Sequence, residues 1–350
     1  MGPWGVVGLV MLVFVIAYFM TRYLCSPCAP VRLLDHPNER SLHVAPTPRT
    51  GGLAILGSLL VGLGVYSLWS LKGTGIPTAV GLIAVASVIG AVSFWDDYSH
   101  LPVGVRFTVH SMAAIAMTWG MGLTVAQVPV PLAGELSLGW AGPVIAVLFL
   151  IWMTNLYNFM DGIDGFAAGM TVLGFGIFGV IALNGGHRAF AMVSFLIMAA
   201  SGGFLVHNMP PARIFMGDVG SAPLGFLAGG LALKGIHDDV FDFWVPVLVF
   251  SPFIADATTT LLRRLMRGEK VWQAHREHYY QRLILSGWTH RKTIGAEYVL
   301  MLGSGVSAIV YSQATDRVQL MILIGWLVTY IALAHGVSWI ETRQTKGTAR

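Results

Sequence analysis

Charged side chains are what this sequence has least of. Asp, Glu, Lys and Arg make up 11% of its 350 residues, against 55% hydrophobic, whereas soluble globular domains carry about 25% charged residues. The shortage excludes a soluble enzyme, a disordered tail and a nucleic-acid-binding domain, even with a formal net charge of +4. Cysteine is nearly absent as well. Cys25 and Cys28 are the only two, too few for a disulfide framework and, without further ligands at zinc spacing, for a structural metal site. There is no 20–50-residue repeat, no low-complexity tract and no sign of a separate soluble domain, so residues 1–350 read as one unit.

What the chain does have is long apolar runs. Runs of about 18 or more mostly apolar residues cross a hydrocarbon core about 30 Å thick as helices. Eleven are expected, at about 3–21, 51–71, 76–95, 103–123, 141–157, 166–183, 189–206, 219–233, 243–262, 294–311 and 318–340. The run at 219–233 is short and Gly-rich, so a count of ten is the alternative. A β-barrel would need period-two alternation, which 144–153 and 81–92 lack. The chain is therefore expected to be an all-α polytopic membrane protein. Its first span has no Lys or Arg before it and meets Arg22 directly after it, the reverse of a cleaved signal peptide. That predicts an N-terminus outside and, with eleven spans, a C-terminus inside. Only Lys72, Arg188, Lys234 and Arg317 of the 21 Lys and Arg then fall outside, a strong positive-inside bias. The larger loops, about 22–50 and 263–293, are expected on the cytoplasmic side, where a Cys25–Cys28 disulfide is not expected.

The acidic residues follow the same asymmetry. Asp96 and Asp97 end the third span, Asp161 and Asp164 follow the fifth, and Asp218 precedes the eighth. One carboxylate at a helix end is usually a cap. Five converging on one face of a membrane are costly unless they pair or face water, which marks a functional site. Glycines flank them in Asp161-Gly162-Ile163-Asp164-Gly165 and Gly217-Asp218-Val219-Gly220, where backbone can turn sharply and a ligand can come close. Helix N-termini after such turns present N–H groups to anions. Carboxylates beside anion-binding turns suggest Mg²⁺ shared with phosphate oxygens.

The loop 263–293 supplies cations, with His275, Arg276, His278 and Arg282 interleaved with Tyr279 and Tyr280. A lipid-surface patch is the plain reading; recognition of a diphosphate near a planar ring is the sharper one. Ser41-Leu42-His43 and the stiff Pro46-Thr47-Pro48 run precede Arg49 at the start of the second span. Arg49 and Arg106 either reach for lipid headgroups or bind substrate. Asp256, inside the ninth span, is expected to pair with a basic neighbour rather than act in catalysis.

These motifs, in order, resemble the polyprenyl-phosphate N-acetylhexosamine-1-phosphate transferases. The matching segments are PTPRTGG (46–52), FWDDYSHLPVGVR (94–106), NLYNFMDGIDG (155–165), FLVHNMPPARIFMGDVGSAPLGF (204–226) and HREHYYQRL (275–283). The resemblance implies an enzyme of ten or eleven helices in the bacterial inner (plasma) membrane, with its active site on the cytoplasmic face. It implies transfer of a sugar-1-phosphate from a UDP-N-acetylhexosamine to polyprenyl phosphate with release of UMP, using Mg²⁺ or, as a substitute, Mn²⁺. Carried over by motif, Asp96 and Asp97 are the catalytic acidic pair that handles the lipid phosphate. Asn158 and Asp218 are the metal ligands. Asp161 and Asp164 lie near the nucleotide, and His275, Arg276 and His278 engage the sugar diphosphate. A homodimer is compatible with the resemblance; no nucleic acid is involved.

The branch acting on UDP-MurNAc-pentapeptide carries three consecutive histidines where this chain reads His278-Tyr279-Tyr280. That departure favours a plain UDP-N-acetylhexosamine, as in enzymes that initiate O-antigen or other surface glycans. It also predicts that replacing Tyr279 and Tyr280 by His alters sugar preference more than stability. A transporter of an anionic solute would place its ionisable residues near the bilayer midplane, and a CDP-alcohol phosphatidyltransferase would need a longer Asp-Gly motif in one helix. Neither pattern is present.

Overall fold

The structure is a computed structural model that describes residues 2–31, 33–37, 45–69, 76–99, 101–270 and 275–348, the side chains of 76–78 and 344–348 excepted. Ser41–His43 and the tally residues Arg32, Arg40, Lys72 and Arg350 lie outside the described residues. Helices dominate: α1 (Pro3–Leu24), α2 (Gly51–Trp69), α3 (Ile76–Ser99), α4 (Val103–Gly120), α5 (Ala141–Met160), α6 (Phe166–Asn184), α7 (Arg188–Asn208), α8 (Asp218–His237), α9 (Trp244–Val249), α10 (Ser251–Met266), α11 (Tyr279–Leu285), α12 (His290–Tyr311) and α13 (Asp316–Thr348). Two small antiparallel pairs complete it. β1 (Leu34–Asp35) pairs with β2 (Thr47–Pro48), and β3 (Gln127–Val130) forms a hairpin with β4 (Gly134–Ser137).

Among the described residues, nine helices are long and apolar enough to cross a membrane, which makes this a multi-pass membrane protein. The two expected spans not among them differ for physical reasons. α4 is 18 residues long and carries Arg106, Thr108 and His110, which lower its apolarity. The run 243–262 is not one helix. It breaks at Phe250, two residues before Pro252, into α9 and α10, because proline lacks the N–H a continuing helix needs and restricts the residue before it. The run 219–233 proves longer than its glycines suggested, a helix of 20 residues.

α8 is the axis of the fold, packed against α3 on one side and α5 on another, while α6, α7, α1 and α2 form a second layer. Its glycines make this possible. A Cβ on Gly225 would lie 2.4 Å from Met153 O, and one on Gly52 of α2 would lie 2.3 Å from Gly220 N. Close backbone approach of this kind is how helices associate in lipid, where apolar side chains gain little by leaving hydrocarbon. At one end of the molecule the β3–β4 hairpin meets α9, through Trp244 Nε1 donating to Pro129 O at 2.6 Å. At the other end the C-termini of α3, α5 and α7 meet the N-termini of α2 and α8. That end carries Asp96, Asp97, Asp161, Asp164 and Asp218.

Candidate active site

The site is laced together by backbone before any side chain is counted. Pro48 O accepts Phe215 N at 2.7 Å, Gly51 N donates to Phe215 O, and Gly52 N donates to Met216 O. This short zipper sets the PTPRTGG segment beside the loop leading into α8. Gly217 closes it with φ +70°, and a Cβ there would sit 2.3 Å from Arg49 O, so both conformation and space call for glycine.

Onto this frame the side chains converge. Arg49 donates through Nη2 to Asp97 O at 2.7 Å, and its Nη1 lies 3.4 Å from Asp97 Oδ1. Arg106 Nη1 stands between two carboxylates, 2.8 Å from Asp96 Oδ2 and 3.2 Å from Asp218 Oδ2. Both arginines therefore turn toward the acidic cluster. The acidic pair is not symmetric. Asp96 spends its second oxygen on Leu101 N at 2.6 Å, which fastens the α3–α4 turn. Asp97 keeps Oδ2 buried without a hydrogen-bond partner among the described residues. A buried carboxylate oxygen left unpaired is costly.

Asn158, near the end of α5, donates to Ser221 Oγ at 3.2 Å, one turn beyond Asp218 on α8. Asp161 follows it. Burial, reinforced by the charges of Asp218, Asp164 and Asp97, holds its carboxyl well above the usual carboxylate range. Asp164 accepts Ala212 N at 2.9 Å and has His290 Nδ1 at 3.9 Å. It lines a separate cleft of about 370 Å³ with Thr47, Phe215, His290 and Arg291. Asn208 ties the 204–226 segment, in which it lies, to the Asp161–Gly165 turn: its Oδ1 accepts Gly165 N and its Nδ2 donates to Ile214 O, both at 2.9 Å. Tyr298 of α12 adds a bond to Gly165 O at 2.8 Å. Neither Asn208 nor Tyr298 stood out in the sequence; Asn208 sat inside a matching segment, but nothing about Tyr298 marked it.

The 275–285 segment docks beside the Asp161–Gly165 turn rather than hanging free. His278 Nδ1 lies 3.0 Å from Asp256 Oδ1, and the same carboxylate accepts Tyr279 N and Tyr280 N. Asp256 is thus paired as expected, though with a residue 22 positions on rather than a neighbour in its own helix. It also caps the first turn of α11, a contribution of about 1 kcal/mol. The His275 ring lies 4.8 Å from that of His278, tilted by 38°; burial, with His278 and Arg264 nearby, pushes its pKa down to about 4. Arg276 lies between the two histidines in the chain. Tyr280 is fully buried, packs on Phe166 at 4.9 Å and donates to Phe159 O at 3.2 Å. A Cβ on Gly162 would meet its hydroxyl at 2.1 Å. This corrects the expectation for Tyr280, which is a wedge under the Asp161–Gly162 turn and not a free recognition residue.

Comparison with known proteins fits this arrangement. The profile of glycosyl transferase family 4 matches residues 79–236, the stretch from α3 through α8 that carries all five aspartates. A Bacillus subtilis (strain 168) protein named "Probable undecaprenyl-phosphate N-acetylglucosaminyl 1-phosphate transferase" is 31% identical over 296 residues, 83% of this chain and 80% of its own length. The chain belongs to glycosyl transferase family 4. Within it, a decaprenyl-phosphate N-acetylglucosaminephosphotransferase of Mycobacterium tuberculosis (strain ATCC 25618 / H37Rv) is 30% identical over 354 residues, 91% of this chain and 87% of that relative. A phospho-N-acetylmuramoyl-pentapeptide-transferase of Synechococcus sp. (strain JA-3-3Ab) is 29% identical over 283 residues, 75% of this chain and 78% of that protein. The chain is therefore similar to proteins of both kinds.

Proposed function

We propose that this family 4 protein transfers an N-acetylhexosamine-1-phosphate from a UDP-sugar to polyprenyl phosphate and so initiates a lipid-linked surface glycan. The observation that carries the reading is the unpartnered Asp97 Oδ2, set among Arg49, Arg106 and Asp218 at one end of the helix bundle. In the reaction an oxygen of the lipid phosphate bonds to the sugar-bearing phosphorus of the donor, and the bond from that phosphorus to the bridging oxygen breaks, releasing UMP. Nucleophile and electrophile are both anions, so their repulsion must first be neutralised. Arg49 and Arg106 supply part of that. Asp97, with one oxygen uncommitted, accepts the proton remaining on the lipid phosphate, whose second pKa lies near 6 as in other phosphate monoesters. Asp96 holds Arg106 in place. The cleft beside Asp164, with Phe215 as its aromatic wall, suits the nucleoside.

Mg²⁺ belongs to the proposal. Among the described residues no three His, Cys, Asp or Glu side chains form a ready metal cage. The cation would instead be held by one or two carboxylates and completed by water and phosphate oxygens. Asp218, with Asn158 beside it, would hold it. When bound, the ion supplies positive charge to the diphosphate. The fully buried Tyr280 favours a plain UDP-N-acetylhexosamine over UDP-MurNAc-pentapeptide, because the position that the pentapeptide branch fills with histidine is closed to ligand here.

Orientation is likewise proposed: eleven crossings, counting α4 and the α9–α10 pair, with the N-terminus outside and the site cytoplasmic in the bacterial plasma membrane. The test uses Arg291→Cys and Ala133→Cys in a chain lacking Cys25 and Cys28. The two should label from opposite sides. The reaction is tested by incubating purified protein with polyprenyl phosphate, Mg²⁺ and a panel of UDP-sugars and measuring UMP. Asp218→Asn should abolish release and resist added Mg²⁺; EDTA-insensitive release by the parent would defeat the metal assignment.

A further inference from the structure

α11 is held on three sides, and only two of them belong to the site already described. Asp256 caps its N-terminus, and Tyr280 wedges its inner face beneath the Asp161–Gly162 turn. The third attachment is Arg282. This residue is mostly buried, donating Nε to Glu341 Oε1 at 2.7 Å and Nη2 to Glu341 Oε2 and to Ser338 Oγ at 3.1 Å. Its guanidinium also lies 4.9 Å from the centre of the Tyr279 ring, which has Arg263 at 5.8 Å. Glu341 and Ser338 stand one turn apart on α13, a helix with only 6% of its span inside the protein. A helix so exposed to lipid has little packing with which to fix a neighbour. A fork-shaped, charge-assisted pair is short and directional, and it does fix one.

We propose that Glu341 is a positioning residue for sugar-phosphate transfer. Acting through Arg282, it sets the register of α11 and with it the His275–His278 turn and the Asp161–Gly165 turn on which Tyr280 bears. The proposal rests on the reaction proposed above. A displacement of about 1 Å at a remote support can cost on the order of 100-fold in rate, so a residue that never meets substrate can still govern it.

The test compares the parent with Glu341→Gln, Glu341→Asp, Arg282→Lys and the milder Ser338→Ala, all full length in detergent. Glu341→Gln should raise KM for the UDP-sugar by about tenfold and leave KM for polyprenyl phosphate within about twofold, a split that loss of folded protein cannot produce. Arg282→Lys keeps the charge but loses the fork, so it should behave like Glu341→Gln, while Glu341→Asp should restore part of the donor KM. Backbone hydrogen exchange at 275–285 and 159–165 should quicken by about tenfold in Glu341→Gln, as local opening becomes easier. Parental exchange at 275–285 together with a parental donor KM would overturn the proposal, and so would equal rises in both KM values. A parent that releases no UMP from any UDP-sugar would instead defeat the reaction reading; the exchange measurement would then decide the coupling of α13 to α11 by itself. Should Glu341→Gln fail to accumulate, Ser338→Ala carries the same comparison with a smaller expected shift.

Discussion

α8 and α13 are both membrane-length helices, yet 94% of the α8 span lies inside protein and only 6% of the α13 span does. The more buried helix is the less apolar one: α8 is the least apolar of the nine long helices. In water the order would be reversed. In lipid, apolar side chains gain little by leaving hydrocarbon, so burial goes to helices that can come close, and small residues decide it. The same contrast divides function. The carboxylates of the site lie on or beside helices at the centre, whereas α12 and α13 form a flank: α12 touches the site near its N-terminal end, through His290 and Tyr298, and α13 reaches it through α11.

The contrast is open to breakage at its strongest point first. Asp97→Asn, at the centre, should lower turnover by at least about 100-fold with little loss of folded protein, since its Oδ2 finds no hydrogen-bond partner among the described residues. Glu297→Gln, on α12, should change turnover by less than about threefold. Asp96→Asn should lose stability along with turnover, because both its oxygens are engaged. Comparable losses in the Asp97 and Glu297 variants, measured as UMP release per folded molecule, would erase the distinction between centre and flank.

Next in size is one substitution made in both helices. Gly225→Ala in α8 drives a Cβ to 2.4 Å from Met153 O, whereas a Cβ on Gly336 in α13 meets nothing within 4 Å. The first should destabilise by about 1–3 kcal/mol; the second should be neutral or stabilising by up to about 1 kcal/mol. Thermal midpoints in detergent read both, and equal midpoints would mean that close approach is not what holds α8.

Smaller effects belong to the segment between the two regions. Tyr280→His should cost about 2 kcal/mol through lost aromatic packing, while Tyr279→His should cost less than about 1 kcal/mol and be the variant in which sugar preference moves. Another effect depends on pH. His275 in the folded protein titrates at about 4, below its ordinary 6.5. Between those values the unfolded chain binds the proton and the folded one does not, so stability falls as pH drops from 6.5 toward 4. The thermal midpoint of the parent should therefore fall more steeply across that window than that of His275→Gln, and parallel curves would show that His275 is not held neutral.

Much of this was legible from the residues alone. Apolar runs of membrane length named the helices, and the placing of Asp96, Asp97, Asp161, Asp164 and Asp218 at span ends put them on one face, because a helix that crosses a bilayer has only two ends. Glycines beside Asp161 and Asp218 marked the turns. The break at Phe250 was written in Pro252, although the apolar run concealed it. What the sequence could not assign was division of labour. Asp96 and Asp97 are adjacent and chemically identical. Only the packing of Leu101 and Arg106 against one of them left the other with a free oxygen.

Hydropathy reports that a segment prefers hydrocarbon to water, and that preference marked out the helices long and apolar enough to cross a membrane. It is silent on whether a segment then faces lipid or protein, because the two are nearly equivalent surroundings for an apolar side chain. That second choice rests on backbone approach and on polar pairs, and here the pairs are far apart in sequence: Arg49 with Asp97, Arg106 with Asp218, Asp256 with His278, Arg282 with Glu341. Each is a contact of a few ångströms between side chains that local rules leave independent, so only the folded chain could decide it.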